Sequence, residues 1–235
     1  MEIRKISITS PIKSDTLLVD DQKIIHRIKN VLRLKDGDKL ILIDGSGFEY
    51  WGQIKYDENN IIFEVKKKIK TKKFLNKNLN IFIGFLKKPV MEDLIEKLAQ
   101  LGVKKIIPLK TERTSFSLKE IPPRWQRLIS KANEVSTWQN FTQIHQPLSL
   151  IEAISLAKKN NIFLADPQGE LTLKQFKKIT KKLKNINLFI GPEGGFSDKE
   201  IKLIKQNGGR LIKIPQNTFR SEIATLIFAC NILYG

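Results

Sequence analysis

Near the C-terminus an apolar run, 186–190, breaks into Gly191-Pro192-Glu193-Gly194-Gly195-Phe196-Ser197. Further on, Ile212-Lys213-Ile214 leads through Pro215-Gln216-Asn217-Thr218-Phe219 into Arg220-Ser221-Glu222-Ile223-Ala224. Each piece reads as a strand, a loop and the start of a helix. Ser197 and Glu200 have the spacing of a capping box, which marks the first helix start. Glycines let the chain turn sharply and let a ligand approach backbone N–H and C=O groups unobstructed. An ordinary strand-to-helix turn would explain the first loop alone. Two such loops at the carboxyl ends of neighbouring strands instead form a ligand crevice in an α/β sheet. The crevice is not one of the common phosphate sites: no Gly-Lys-Ser/Thr follows the glycines, and Gly-x-Gly-x-x-Gly is absent. Glu193 would repel a polyphosphate, so a cationic or neutral ligand held by backbone groups fits better.

At 235 residues the chain has room for one large or two modest domains. Its 42 basic against 24 acidic residues give a formal charge of +18, which favours a polyanionic partner such as nucleic acid. A composition rich in Lys, Asn and Ile accounts for lysine over arginine, but not for the shortage of acids. The single cysteine, Cys230, lies in an apolar run and is expected to be a buried small hydrophobe, with no disulfide framework. No apolar run reaches membrane-spanning length and the N-terminus lacks a signal-peptide core, so a cytoplasmic location with no membrane partner is expected. His26 and His145 are the only histidines. With one cysteine they cannot complete a Cys/His metal cluster, and neither is placed for a Ser-His-Asp arrangement.

Two regions differ in rhythm. Up to about residue 70, short alternating runs (39–44, 49–54 and 61–65) read as strands interrupted by one helix over 21–31, and a small β-barrel is their natural closure. The basic run 66–73 leads into a polar stretch suited to a linker, serving either as a solvated connector or as an RNA contact. From residue 79 onward strands alternate with helices. Strands are predicted at 80–86, 105–108 and 162–165. Helices are predicted over 90–101, ending at Gly102, from Pro122-Pro123 onward, and over 171–183. This alternation predicts a mostly parallel sheet.

Four ordered segments resemble the RsmE-type methyltransferases of the SPOUT superfamily, which methylate uridine N3 in 16S ribosomal RNA. These are His26 to Asp38 followed by Asp44-Gly45-Ser46-Gly47; Leu101-Gly102-Val103 with Thr111-Glu112-Arg113-Thr114; the glycine loop; and Phe219 to Ala224. The resemblance covers nearly the whole chain. It implies an α/β fold in which a PUA-like β-barrel RNA-binding domain (1–72) precedes a trefoil-knotted SPOUT methyltransferase domain (73–235), and it implies a homodimer. It also implies S-adenosyl-L-methionine as methyl donor, no metal, and 16S rRNA as partner, within an assembled small subunit. The implied cofactor residues are Leu164, Ile190, Gly191, Glu193, Gly194, Gly195, Ile214, Asn217, Phe219, Ser221 and Ala224.

Loss of the uracil N3 proton leaves negative charge on N3, O2 and O4, and a fixed arginine would stabilise it where it develops. Arg220, at a helix N-terminus, is the candidate catalytic residue; pairing with Glu193 or Glu222 is its structural alternative. Arg27, Arg33 and Arg113 are candidates for RNA binding, arginine's fork being suited to phosphate; an ion pair with Glu112 is the alternative for Arg113. Other SPOUT reactions (ribose 2′-O or guanine N1 methylation) and non-catalytic RNA binding remain as alternatives. The chain departs from the family pattern at Gln100-Leu101-Gly102, at Trp138, which replaces an arginine, and at Ile223.

Overall fold

A computed structural model of the chain describes every residue except 1–2, 9, 72–74, 116, 137, 139–140, 158–160 and 215–218. The chain forms two compact units: Met1–Lys73 with Asn133–Phe141, and Phe74–Ala132 with Thr142–Gly235.

The first unit is built on a five-stranded sheet in the order β1-β3-β4-β5-β2. Its strands are β1 (Arg4–Ser7), β2 (Thr16–Val19), β3 (Lys39–Ile43), β4 (Phe48–Asp57) and β5 (Asn60–Lys70). Only the β1–β3 pair is parallel. Helix α1 (Gln22–His26) is capped by the Asp21 carboxylate, which accepts from Lys23 N at 2.8 Å, and continues as a π-helical turn over Arg27–Val31. Ile6, Ile28, Leu40, Leu42, Ile54 and Phe63 fill the core. Strands β1 and β2 were not predicted, because four residues carry too little alternation to stand out. Residues 66–70 of the basic run belong to β5, where 67–70 pair with β4 and Lys66 falls at the bulge opposite Trp51/Gly52. They are ladder rather than connector.

The second unit is a three-layer α/β fold. Its strands are β6 (Asn78–Gly84), β7 (Lys105–Lys110), β8 (Gln143–Ile144), β9 (Leu148–Ser149), β10 (Ile162–Ala165), β11 (Asn185–Ile190) and β12 (Arg210–Ile212). They pair in the order β12-β10-β11-β6-β7-β8, with β9 also on β7, and every pair is parallel. The helices are α2 (Lys88–Gln100), α3 (Pro123–Ser136, of which 133–136 belong to the first unit), α4 (Leu150–Leu156), α5 (Leu173–Thr180), α6 (Asp198–Gln206) and α7 (Ser221–Tyr234).

Strand alternation sorts the sheet residues between two cores. Ile81, Ile83, Leu188 and Ile190 pack with Leu94, Trp125, Phe176 and Phe228 of α2, α3, α5 and α7. Phe82, Leu164 and Phe189 face the other way, onto Ile154 of α4 and Ile204 of α6. Phe82 and Phe189 stack at 4.4 Å on that side. The expected α/β fold with a parallel sheet is the one observed.

One expectation fails. Cys230 is exposed, because α7 buries Phe228, Ala229 and Ile232 while Cys230 falls between them on the opposite side of the helix. An apolar neighbourhood in sequence does not say which side of a helix is covered.

Candidate functional site

A cavity of about 380 Å³ opens at the carboxyl ends of β10, β11 and β12. It is bounded by three segments: Ala165-Asp166-Pro167-Gln168 after β10, 190–196 after β11, and Ile212, Ile214, Phe219, Ser221 and Ala224 around the start of α7, with Phe228 among its apolar lining.

The glycine loop is shaped by close backbone approach. A Cβ on Gly191 would lie 2.8 Å from the Cα of Gly195, and Gly195 itself takes a left-handed φ of +69°. Gly195 N donates to Pro192 O at 2.9 Å. The predicted capping box closes the loop into α6: Ser197 Oγ accepts from Glu200 N at 3.2 Å, while Glu200 Oε2 accepts from Ser197 N at 2.8 Å.

The other segments are tied to this loop. Ser221 Oγ donates to Pro192 O at 3.0 Å, joining the α7 N-terminus to the glycine turn. Asp166 N donates to Ile212 O at 2.9 Å, joining the β10 and β12 loops. Glu200 is only 6 % exposed, and its second oxygen accepts from Glu112 N at 2.9 Å. One buried carboxylate therefore clamps the Thr111–Thr114 turn to the start of α6. That turn places Arg113 on the cavity rim, where its Nη1 donates to Gly194 O at 3.1 Å.

The lining chemistry is divided. Among the described lining residues, Ile190, Ile212, Ile214 and Phe228 provide an apolar surface, while Asp166, Glu193 and Asp198 provide three carboxylates and Arg113 a single cation. Such a site suits a ligand with a flat apolar part and a positive charge.

Of the predicted cofactor residues, Ile190, Gly191, Glu193, Gly194, Gly195, Ile214, Phe219, Ser221 and Ala224 line the cavity. Leu164 does not: it is fully buried toward α4 and α6, and the next residue, Ala165, faces the cavity instead. Asn217 lies outside the described residues. Arg220 is exposed at the N-cap of α7 and is absent from the lining. Among the described residues it forms no ion pair with Glu193 or Glu222.

Arg113 is exposed and makes its bond to the glycine loop rather than an ion pair with Glu112. In the first unit, Arg27 forks onto Glu134 through bonds of 2.7 and 2.6 Å, and Ser7 N donates to the same carboxylate. Arg33 is exposed and adopts a left-handed φ of +54°, unusual for a side chain of this size. Sequence reasoning placed Asp166 in a cofactor loop, 164–167, without singling it out, and missed the site roles of Asp198 and Glu200. The capping-box spacing marked Glu200 as a cap, but nothing local indicated its second partner 88 positions earlier. Among the described residues no group of three or more His, Cys, Asp or Glu side chains could hold a metal ion, and no helix is long and apolar enough to cross a membrane.

The three-layer parallel α/β unit with this crevice, and the small mostly antiparallel unit before it, each match a domain of one class, the RNA methyltransferases. The family model described as an RNA methyltransferase domain matches residues 72–233, and that described as an RNA methyltransferase PUA domain matches 19–66. The chain is 30% identical over 206 residues to the ribosomal RNA small subunit methyltransferase E of Rickettsia conorii, covering 86% of this chain and 83% of that protein. It is 30% identical over 223 residues to the protein of that name from Buchnera aphidicola subsp. Schizaphis graminum, covering 89% and 88%. In fold it is similar to a ribosomal RNA small subunit methyltransferase E of Neisseria gonorrhoeae solved bound to S-adenosyl methionine, with a TM-score of 0.85, 21% identity, and 97% and 96% of the two chains covered. The chain belongs to the ribosomal RNA small subunit methyltransferase E family.

Proposed function

We propose that this protein is an S-adenosylmethionine-dependent methyltransferase that modifies uridine N3 in 16S rRNA of the small ribosomal subunit. The observation that carries this reading is the three-segment cavity, with an apolar lining and three carboxylates at the sheet's carboxyl edge, in a chain of this family. When bound, the cofactor supplies an electrophilic methyl group on a sulfonium centre. Ile190, Ile212, Ile214 and Phe228 would hold its adenine, the backbone of Gly191, Gly194 and Gly195 would read polar edges, and the nearby carboxylates favour its positive charges. Neither the reaction nor the side-chain chemistry calls for a metal.

The uracil must lose its N3 proton, and a cation fixed beside O2 and O4 stabilises the anion that results. Arg220 is proposed for this role. Its guanidinium is free of carboxylate partners among the described residues, and it stands at a helix N-terminus whose dipole acts in the same direction. Arg33 and Arg113 are proposed to contact RNA phosphates, and Arg27 to do so through the part of its side chain, 39% exposed, that Glu134 leaves open. Residues 1–72 are assigned to RNA binding and 73–235 to methyl transfer.

A homodimer is part of the proposal. Helix α7 is apolar on nearly every side, yet it leaves Ile223 42% exposed, with Leu226 lining a shallow groove against Val90 of α2. The substrate is proposed to be the assembled small subunit in the cytoplasm.

The test is nucleoside mass spectrometry of rRNA from cells lacking the gene, with re-methylation by purified protein and labelled donor. Loss and restoration of 3-methyluridine is expected. Unchanged 3-methyluridine, or label found on ribose or guanine, overturns the assignment.

A further inference from the structure

The methyltransferase unit carries a second concentration of charge, which begins beside the cavity and runs away from it. Residues 171–184 contain six lysines and no acidic residue. In the structure they build α5 and the turn after it. Phe176 and Thr180 are fully buried against the core, which turns Lys174, Lys177, Lys178, Lys181 and Lys182 outward, all exposed. The preceding Glu170 does not offset them, being paired with Lys205 at 3.1 Å.

Lys77 joins this face from another part of the chain. The segment beginning β6 is fastened beside the turn after α5 by Asn78 N donating to Lys184 O at 2.6 Å. Lys77 Nζ donates to Ile232 O in the last turn of α7 at 3.0 Å. Burial first, then the proximity of Lys177 and Lys181, hold its ammonium below the ordinary lysine pKa. Among the described residues none of these lysines is in an ion pair.

Helix stability accounts for part of this arrangement only, since Lys177 and Lys178 in the last turn complement the dipole. Lys174 sits in the first turn, where the helix dipole disfavours a cation. Lys174 with Lys178 and Lys177 with Lys181 are like charges four apart, which destabilise a helix. What such a face fits is a regular array of negative charge.

Its position limits what that array can be. Helix α5 starts on the cavity side, where Leu171 bridges Ile212, and runs back along the sheet, so that its last turn, the lysines after it and Lys77 lie toward the amino ends of β6 and β11, whereas the cavity lies at the carboxyl end of β11. Six residues of strand separate the two edges by about 20 Å. A nucleotide whose base reaches the cavity cannot also lay its own phosphate on the last turn of α5 and the lysines that follow it.

We infer that the α5 face, with Lys77, is a remote RNA-contact surface that grips the sugar-phosphate backbone of the folded substrate RNA away from the modified nucleotide. The inference rests on the methyltransferase reading for the identity of the RNA. It adds that recognition extends beyond the target stem, so that a large folded RNA is bound more tightly than a short fragment carrying the same uridine.

The test is the triple substitution Lys177→Ala, Lys178→Ala, Lys181→Ala. Alanine is the best helix former, so α5 is retained, which circular dichroism checks. Binding is measured against salt for the long RNA, presented as small subunits purified from cells lacking the gene, and for a short hairpin carrying the target uridine. For the long RNA the slope of log K against log salt should fall by roughly two, since each phosphate no longer neutralised by a lysine lowers it by about 0.7–0.9. The KM for that RNA should rise with kcat unchanged, and hairpin binding should not change. The triple Lys→Arg variant should behave as the unaltered protein. An unaltered salt slope for the long RNA, equal losses on hairpin and long RNA, or an arginine variant as weak as the alanine one overturns the inference. If the unaltered protein fails to transfer methyl, the methyltransferase reading fails instead, and the salt slopes still report on the α5 face.

Discussion

The two loops that face each other across the cavity are held in different ways. The glycine loop is largely self-supporting: Gly195 N bonds Pro192 O, Ser197 and Glu200 cap each other, and the turn needs the absent Cβ of Gly191. At the start of α7, Arg220 makes no side-chain cap, and the segment is tied to the glycine loop through the bond from Ser221 to Pro192 O. The first loop is a preformed mould. The second is fastened to it by a hydroxyl and carries an exposed arginine. This division suits a reaction in which one ligand is a small cofactor and the other is a base at the end of a large RNA.

Predictions from this contrast run from the largest expected effect to the smallest. Gly191→Val should remove cofactor binding and turnover together, because its Cβ would meet the backbone of Gly195 and no side-chain movement can relieve that. Loss of cofactor binding is measurable by calorimetry, and turnover should fall by about a hundredfold or more, the order expected when a site is displaced by about 1 Å. Retained affinity would mean that the loop is not the mould described.

Arg220→Ala should leave that affinity nearly unchanged while turnover falls on the order of a hundredfold, the usual effect of losing one group that stabilises developing charge. Arg113→Ala in parallel sharpens the comparison. Arg113 is the arginine on the rim, and a larger loss of kcat there than at position 220 would transfer the role to it.

Glu200→Gln retains shape but not chemistry. Both carboxylate oxygens accept backbone N–H groups, so the amide must set a donor against a donor. A stability loss of about 1–3 kcal/mol is expected, read as a lowered Tm, with turnover falling alongside as the Thr111–Thr114 turn loosens. Combining it with Arg113→Ala should add little further loss of turnover if Glu200 acts through Arg113.

Ser221→Ala should have the smallest effect. One neutral hydrogen bond contributes about 0.5–1.5 kcal/mol, so cofactor affinity should weaken only a few-fold. A loss as large as that of Gly191→Val would show that the second loop shapes the cavity as much as the first.

Much of the fold was legible because it depends on neighbours in sequence. The parallel strands and helices of the second unit follow from apolar runs alternating with amphipathic ones, and Gly102, with φ of +80°, ends the turn after α2 where the pattern placed it. The helix predicted over 171–183 is shorter, Leu173–Thr180, because Thr172 with Gln175 forms a capping box that starts it later. The site was legible where glycine and capping chemistry are local.

It was not legible where strand phase or a distant partner decides. Leu164 and Ala165 are both apolar strand residues, and only the sheet's pleat turns one to the core and the other to the cavity. Cys230 read as core because its neighbours are apolar, yet the side of α7 it occupies is left uncovered.

By itself, the sequence determined the order of elements, the turn at Gly191–Gly195, the cap on α6 and the excess of positive charge, since each of these follows from residues within a few positions of one another or from composition. Only the tertiary structure decided which groups meet. Glu112 reaches Glu200, Arg113 reaches Gly194, Ser221 reaches Pro192, Arg27 forks onto Glu134, and Lys77 joins the lysines of α5. Those in the second unit depend on β11 lying between β10 and β6, and that strand order is set by burying two apolar sheet faces at once, which no local pattern encodes.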